Sequence, residues 1–341
     1  MKLKVTNIIK ETENAVTVCF KNGNFFRKIK YLPGQFIMLD FKVGKDIYKR
    51  AYSFSSSPNI DKDLKITVKK VKGGIVSNFI NNKLKIGDKI KMDIAMGSFF
   101  IQPDQKNKKQ YVLFGGGSGI TPVFSIAKSL LKNEPDSKVL LIYANQDVGN
   151  IIFSNEINAL SITESERFKV EHILSDVEGT NYHSGFLTKK LLDKIFKKHN
   201  LKYEDHKYMM CGPSGFMDAA KEILKLNGIE RKQIMLEAFK APSIKVAPKN
   251  LVSKVTLNIK GKTHELNVPG DKTILQQAMK ENISIPYSCR SGMCSTCLGT
   301  CSSGEAVMTE GHLLSKDQVA EGKILTCISY PTSEELTIEI E

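Results

Sequence analysis

The 341-residue sequence has no run of about 18 apolar residues, which excludes a membrane-spanning helix of ordinary hydropathy. It shows no apolar signal core and no small-residue cleavage site. Met1-Lys2-Leu3-Lys4-Val5 enters a strand-like alternation at once, so a cytoplasmic location is expected. Internal repeats and low-complexity tracts are absent. No zinc finger, aromatic ribonucleoprotein motif or helix-turn-helix pattern occurs, and the lysines are scattered. Neither nucleic acid nor a membrane is therefore an expected partner. Helical Glu-x-x-His pairs are also missing, which removes a di-iron carboxylate centre.

What is present is the composition of a soluble globular chain, 41% hydrophobic and 25% charged, long enough for two or three domains. The net charge of +14 is uneven. From Leu251 to Glu341 there are 8 Lys and Arg against 11 Asp and Glu, a net −3, so the remainder carries +17. Such a basic surface serves solubility, or steers an acidic partner by long-range attraction.

Seven cysteines occur, namely Cys19, Cys211, Cys289, Cys294, Cys297, Cys301 and Cys327, five of them in the last 53 residues. An odd, clustered set without a leader argues against a disulfide framework and for a metal or redox site. Cys289-x4-Cys294-x2-Cys297, followed after 29 residues by Cys327, is the plant-type 2Fe–2S spacing. Two irons each need two bridging sulfides and two thiolates, which a tight loop and a distant strand can supply. Small residues (Ser291, Gly292, Ser295, Thr296) let backbone amides approach the sulfides. Structural zinc would show two cysteine pairs of short spacing, and the triple does not match that. Cys301 reads as a buried bystander and Cys19 as a core residue. This segment, with Ile285-Pro286-Tyr287-Ser288 before the loop, resembles plant-type ferredoxins over about 90 residues. The resemblance implies a carrier of single electrons near about −400 mV.

Along the chain three regions differ. Residues 1–103 alternate in short runs such as Ala15–Phe20, Gln35–Leu39 and Leu64–Val68 between turn residues, which predicts an antiparallel barrel. Residues 104–240 alternate strand and helix: strands at Tyr111–Phe114, Lys138–Tyr143, Phe168–Leu174 and Lys207–Cys211, helices near Pro122–Lys132 and Leu187–His199. That pattern predicts a doubly wound parallel sheet. Residues 241–250, with two prolines, read as a linker. Residues 251–341 open with a strand over Val252–Ile259, carry a helix near Thr273–Lys280 and end with a strand over Leu336–Ile340. The ferredoxin resemblance implies a β-grasp domain there.

A one-electron cluster needs a neighbour that can split an electron pair, and a flavin does so. Arg50-Ala51-Tyr52-Ser53 resembles the Arg-x-Tyr-Ser motif of the ferredoxin–NADP⁺ reductase superfamily. The resemblance implies that Arg50 pairs with flavin phosphate, Tyr52 packs on the isoalloxazine and Ser53 hydrogen-bonds near its N5. The residue types suit those tasks. Lys72-Gly73-Gly74-Ile75-Val76-Ser77-Asn78 resembles the family's second phosphate segment, and implies contacts from Gly74, Val76 and Ser77 through amides at a helix start. FAD is favoured over FMN on that segment.

Phe114-Gly115-Gly116-Gly117-Ser118-Gly119-Ile120-Thr121-Pro122 follows a strand and opens a helix, as a pyrophosphate turn does. It resembles the superfamily's Gly-x-Gly-x-Gly-x-x-Pro element and implies cofactor contacts from Gly115, Gly116, Gly117, Ser118, Gly119 and Thr121. Cys211-Gly212-Pro213 matches the family's Cys-Gly-Pro motif beside the nicotinamide, with Cys211 as a positioning residue, not a nucleophile, and Gly212 and Pro213 binding. Ser53 and Cys211 are the residues expected nearest the hydride transfer. Leu236-Glu237-Ala238-Phe239 matches a Glu-x-Phe ending, which places Phe239 near the flavin or a hinge. The segment Tyr143–Asp147 has no arginine for a 2′-phosphate, and Asp147 would repel one if it points inward. That leans to NADH, while the basic charge keeps NADPH open.

The order flavin barrel, nicotinamide domain, ferredoxin domain resembles oxygenase reductases of the phenylacetyl-CoA epoxidase type, as does the ending Leu325-Thr326-Cys327-Ile328-Ser329-Tyr330-Pro331. The expectation is an enzyme passing electrons from NAD(P)H to FAD, to a 2Fe–2S cluster bound by Cys289, Cys294, Cys297 and Cys327, and on to a protein acceptor, an oxygenase or desaturase component. The alternatives are a reductase for another acceptor, such as a hybrid-cluster protein, and a non-catalytic iron–sulfur electron carrier or redox sensor.

Overall fold

The short alternating runs of the first hundred residues pair as antiparallel neighbours. The computed structural model describes residues 2–22, 29–177, 182–204, 206–239, 251–259, 261–287, 292, 295–309, 312 and 314–340. The chain divides into two compact units, Met1–Glu237 and Ala238–Glu341. In the first, β1 (Lys2–Thr12), β2 (Ala15–Phe20), β3 (Phe36–Val43), β4 (Asp46–Ser53), β5 (Leu64–Lys69) and β6 (Lys89–Met96) form one sheet in the order β4-β3-β6-β1-β2-β5. A bridge from Phe54 to Ile66 joins its two edges, so the sheet closes into a barrel and hides its unpaired edge groups. Val5, Val18, Leu39 and Phe41 fill its interior. Helix α1 (Ile75–Asn82) contributes Val76 and Ile80 to the same core.

The second half of this unit alternates as its sequence does: β7 (Gln110–Gly116), α2 (Ile120–Asn133), β8 (Lys138–Asn145), α3 (Ser154–Thr163), β9 (Phe168–Leu174), β10 (His183–Ser184), α4 (Lys189–Lys198), β11 (His206–Cys211), α5 (Ser214–Leu226) and β12 (Ile234–Glu237). The strands pair in parallel in the order β10-β9-β8-β7-β11-β12. Tyr111–Phe114 and Val139–Tyr143 are buried throughout, as strands covered on both faces must be. Winding runs outward from β7 in one direction and resumes at β11 in the other. The carboxyl ends of β7 and β11 therefore form a switch point, where ligands settle in open α/β sheets. Ala15 and Phe99 belong to the apolar core beneath this sheet, so barrel and sheet share packing.

Local differences from the sequence reading have plain causes. Helix α2 starts at Ile120, which puts Pro122 in the first turn, where its missing amide has no intrahelical partner to lose. Helix α3 has one fully buried residue, Ile157, so apolar periodicity gives no signal for it.

In the second unit, β13 (Val252–Ile259), β14 (Lys262–Pro269), α6 (Ile274–Lys280), β15 (Leu298–Ser303), β16 (Ala306–Met308), α7 (Lys316–Ala320), β17 (Lys323–Leu325), β18 (Ser329–Pro331) and β19 (Glu335–Ile340) follow in order. The sheet order is β14-β13-β19-β15-β17, with only β13 and β19 parallel. Helix α6 is closed at its start by reciprocal bonds between Thr273 and Gln276, and packs Ile274, Leu275 and Ala278 on the sheet. This mixed sheet with one crossing helix is the expected β-grasp arrangement. The segment 241–250 lies outside the described residues. Among the described residues no helix is long and apolar enough to cross a membrane.

Candidate redox site

Strand β4 ends in Arg50, Tyr52 and Ser53, with alternate side chains on opposite faces. Arg50 lies above the Tyr48 ring at 5.8 Å and donates from Nη1 to the Lys49 carbonyl at 2.8 Å. It pairs with no carboxylate among the described residues. Tyr52 meets Phe41 edge-on at 6.0 Å, and burial pushes its phenol up while the Arg50 charge pulls it back. Ser53 is buried.

The glycine turn after β5 leads into α1. Gly73 adopts φ +72, open to space, and Gly74 precedes the first helical residue. Ser77 turns its hydroxyl back to accept from the Val71 amide at 3.1 Å. The amides of Ile75, Val76 and Ser77 have no acceptor among the described residues, and the first turn holds no acid. A helix start with three open amides and no negative charge suits a phosphate. The unpaired Arg50 guanidinium supplies the other element such a group needs, so this end of the barrel fits a flavin diphosphate.

On the sheet, Gly115 pairs with Cys211, and Cys211 pairs with Glu237 on its other side. Gly117-Ser118-Gly119 form a short 3-10 turn between β7 and α2, and Thr121 Oγ1 donates to the Ser118 carbonyl at 3.0 Å. A Cβ on Gly116 would stand 2.7 Å from Pro213 Cδ, and one on Gly119 would stand 2.2 Å from the Cys211 carbonyl oxygen. The two loops therefore touch backbone to backbone. Gly117 at φ +50 has nothing within 4 Å of its missing side chain, which leaves that side of the turn open. Pro213 caps α5, whose first turn also carries no acid. The paired loops thus present open amides at the switch point, as a dinucleotide pyrophosphate requires.

Ser53 Oγ donates to Glu237 Oε2 at 3.3 Å, joining the barrel to the end of β12. Glu237 is 4% exposed, and burial lifts its carboxyl to about 8, with the Ser53 bond working against the rise. Burial, then the Glu237 charge, pushes the Cys211 thiol well up, so it stays protonated. Sequence reasoning gave Glu237 no site role. Its signal was an acid closing the apolar strand Ile234-Met235-Leu236. Phe239, expected near the flavin or a hinge, lies at the start of the second unit and is 45% exposed.

Asp147 does not point inward as a lone charge. Its two oxygens accept from the amide and side-chain nitrogen of Asn150 at 3.0 and 2.8 Å. The acid at the next strand end is Asp176, held by Gln146 Nε2 at 2.7 Å and Ser175 Oγ at 2.9 Å.

In the second unit, Cys297 and Cys327 are both buried in its apolar core. The Thr326 amide and hydroxyl bind the Cys297 carbonyl at 3.0 and 3.3 Å, which holds the two cysteine-bearing segments side by side. Cys289 and Cys294 lie outside the described residues. Cys327 lies in the turn between β17 and β18, not on a strand as expected, and two buried thiols from separate loops suit an iron–sulfur cluster. Cys301 is only partly buried, unlike the buried bystander expected. Its Sγ approaches the Ser303 and Gly304 carbonyls at 3.4 and 3.3 Å.

An oxidoreductase FAD-binding domain family matches residues 2–101, an oxidoreductase NAD-binding domain family residues 113–222, and a 2Fe-2S iron-sulfur cluster binding domain family residues 257–332. The ferredoxin reductase component of 3-ketosteroid-9-alpha-monooxygenase from Rhodococcus rhodochrous is 31% identical over 99% of this chain and 96% of its own. One component of the 1,2-phenylacetyl-CoA epoxidase of Escherichia coli (strain K12) is 27% identical over 99% and 97%. The solved structure of phthalate dioxygenase reductase superposes with a TM-score of 0.64 at 22% identity, covering 100% of this chain and 98% of that one. With FAD-, NAD- and 2Fe–2S-binding domains in that order, the chain belongs to the ferredoxin–NADP⁺ reductase superfamily, in the branch whose members carry a C-terminal 2Fe–2S domain.

Proposed function

We propose that the chain is a cytoplasmic, NADH-dependent reductase that supplies electrons to a separate oxygenase of the phenylacetyl-CoA epoxidase type. The observation that carries the reading is the backbone contact of Gly116 with Gly212 and Pro213 at the switch point, on strands that end beside the buried Ser53–Glu237 pair. When bound, FAD takes up an electron pair as a hydride and gives the electrons out singly, and the 2Fe–2S cluster carries them one at a time.

The chain's own residues divide the remaining work. Arg50 and the open amides of Ile75–Ser77 hold flavin phosphate, and Tyr52 offers a flat face to the ring. Gly115–Gly119, Thr121, Gly212 and Pro213 hold and orient the nicotinamide dinucleotide, and Cys211 packs beside its reactive ring. Burial favours the protonated Glu237 carboxyl, to which Ser53 Oγ bonds, so this end of the barrel carries no buried negative charge where a flavin ring would lie. Orientation, not acid–base chemistry, supplies most of the rate. Cys289, Cys294, Cys297 and Cys327 bind the cluster. The Asp176–Gln146 arrangement at the sheet's carboxyl edge supports NADH, since a carboxylate there repels a 2′-phosphate. The oxygenase acceptor is supported by end-to-end similarity to reductase components of oxygenases.

Absorption spectroscopy of the purified protein, with flavin extraction and iron and sulfide assay, tests the reading. Flavin and iron–sulfur bands that bleach anaerobically with NADH are expected. Zinc without visible bands, or no bleaching, sinks it. Activity restored to a purified epoxidase component identifies the acceptor.

A further inference from the structure

The stretch that follows Ser53 fastens the barrel to α2. Ser57 Oγ donates to the Ser125 carbonyl, and Ser125 Oγ donates back to the Ser56 carbonyl at 2.6 Å. One turn further along α2, Lys128 Nζ lies 2.7 Å from Asp61 Oδ2. The same carboxylate accepts from the Ser57 amide at 2.8 Å and pairs with Lys65 of β5 at 2.9 Å. Water is largely shut out. The three serines are fully buried, and the Lys128 and Asp61 side chains are 15% and 11% exposed.

A shielded ion pair is a weak source of net stability, because desolvation offsets most of the attraction. Its better-attested use is to fix one registry among several, and the position of this pair says which. Ser57 is four residues beyond Ser53, the last residue of the flavin motif. Ser125 is four residues beyond Thr121, the last polar residue of the glycine turn. Each cofactor-binding segment is therefore tied to the other domain within about one helical turn of its ligand contacts. A hydride crosses only between atoms held at about 3–3.5 Å, and a displacement of about 1 Å costs on the order of 100-fold in rate.

We propose that the Asp61–Lys128 pair and the reciprocal Ser57–Ser125 contacts set the separation of flavin and nicotinamide rings, as positioning residues for hydride transfer. The proposal rests on the functional reading above. The pair lies outside the motifs that would hold the cofactors, and both side chains act through the segments they tie together.

The test uses the full-length holoprotein with Lys128→Met and Lys128→Arg. Four quantities are read: bound flavin, the NADH dissociation constant, the limiting rate of anaerobic flavin reduction with its long-wavelength charge-transfer absorbance, and amide exchange over residues 54–61 without nicotinamide. For Lys128→Met the limiting rate should fall about 100-fold and the charge-transfer band should fade. Bound flavin should be retained, the NADH constant should move by less than about threefold, under 1 kcal/mol, and Ser57 exchange should quicken. Lys128→Arg should restore most of the rate. A Lys128→Met protein with wild-type rate and exchange overturns the proposal, and so does a rate loss matched by weaker NADH binding. If Lys128→Met does not accumulate, Ser125→Ala removes a single hydroxyl and should lower the limiting rate about tenfold at unchanged flavin content. An unchanged rate there overturns the proposal. A wild-type flavin that NADH cannot reduce removes the functional reading instead, and the exchange data separate the two failures.

Discussion

Ser53 Oγ and Glu237 Oε2 stand 3.3 Å apart across 184 residues of chain, with neither residue more than 5% exposed. The pair predicts how stability follows pH. Glu237 ionises near the usual 4.5 when unfolded and near 8 when folded, so the folded state binds the proton more tightly. Its contribution is complete below about pH 4.5 and disappears as pH rises through about 8, a span worth at most about 5 kcal/mol. Denaturant midpoints measured at about pH 5 and about pH 8.5 should fall for the wild type and fall much less for Glu237→Gln. Equal slopes would mean that Glu237 is ionised in the native state.

Removing the serine should act in the opposite sense on the same acid. The bond from Ser53 lowers the Glu237 value, so Ser53→Ala should move the carboxyl further up. It should also slow flavin reduction by NADH about tenfold or more by loosening the ring's surroundings. The pH profile of flavin reduction in Ser53→Ala and wild type checks both. A profile unmoved in height and position would detach Ser53 from the site.

Gly119→Ala forces a methyl to within 2.2 Å of the Cys211 carbonyl, an atom that cannot swing aside. The two loops must separate. Stability should drop by about 1–3 kcal/mol, and NADH should bind at least about tenfold more weakly, a change of about 1.4 kcal/mol. Thermal melts and NADH titration of the oxidised protein read these effects.

Cys327→Ser should separate the two halves of the relay. The iron–sulfur bands and bound iron should be lost, while NADH still bleaches the flavin. Reduction of a one-electron protein acceptor should fall more than about tenfold, because a serine hydroxyl is a poor substitute for the thiolate iron needs. Full iron content in this variant would remove Cys327 from the ligand set.

Asp176→Ser opens the carboxyl edge of the sheet to a phosphate. The NADH to NADPH preference in kcat/KM should shift toward NADPH by about fivefold, the scale of one charge contact of about 1 kcal/mol at an exposed site. An unchanged ratio would place discrimination elsewhere.

Most of the architecture was legible because it is written locally. Val139–Tyr143 is an unbroken apolar run and lies buried, Ala15–Phe20 pairs as a strand with the residues expected, and both glycine turns sit between a strand and a helix. The pairing of flavin motif with nicotinamide motif came from resemblance, and the sheet order then brought Gly115 beside Cys211. Contacts between residues far apart in sequence were not legible. Nothing in the neighbourhood of Asp61 announces that it will grip Lys128, 67 positions later. Whether Asp147 points inward was not legible either, although the answer is local: Asn150, three residues on, holds both of its oxygens. Helix α3 escaped notice since it lies on the surface with little to bury. Cys301 was expected inside because thiols usually are, yet its place on β15 leaves it partly exposed.

Strand β11, made late in its sheet, inserts beside the first, and β12 then adds outside it. A growing polypeptide therefore cannot assemble the nicotinamide pocket piecemeal as it leaves the ribosome. Until Cys211 has emerged, β7 has an empty flank, and until Glu237 has emerged Ser53 lacks its hydrogen-bond partner. The second compact unit starts at the very next residue. Anyone cutting the gene to express the flavin half alone should keep Glu237 on that fragment, since a boundary a few codons earlier would delete the buried acid to which Ser53 bonds.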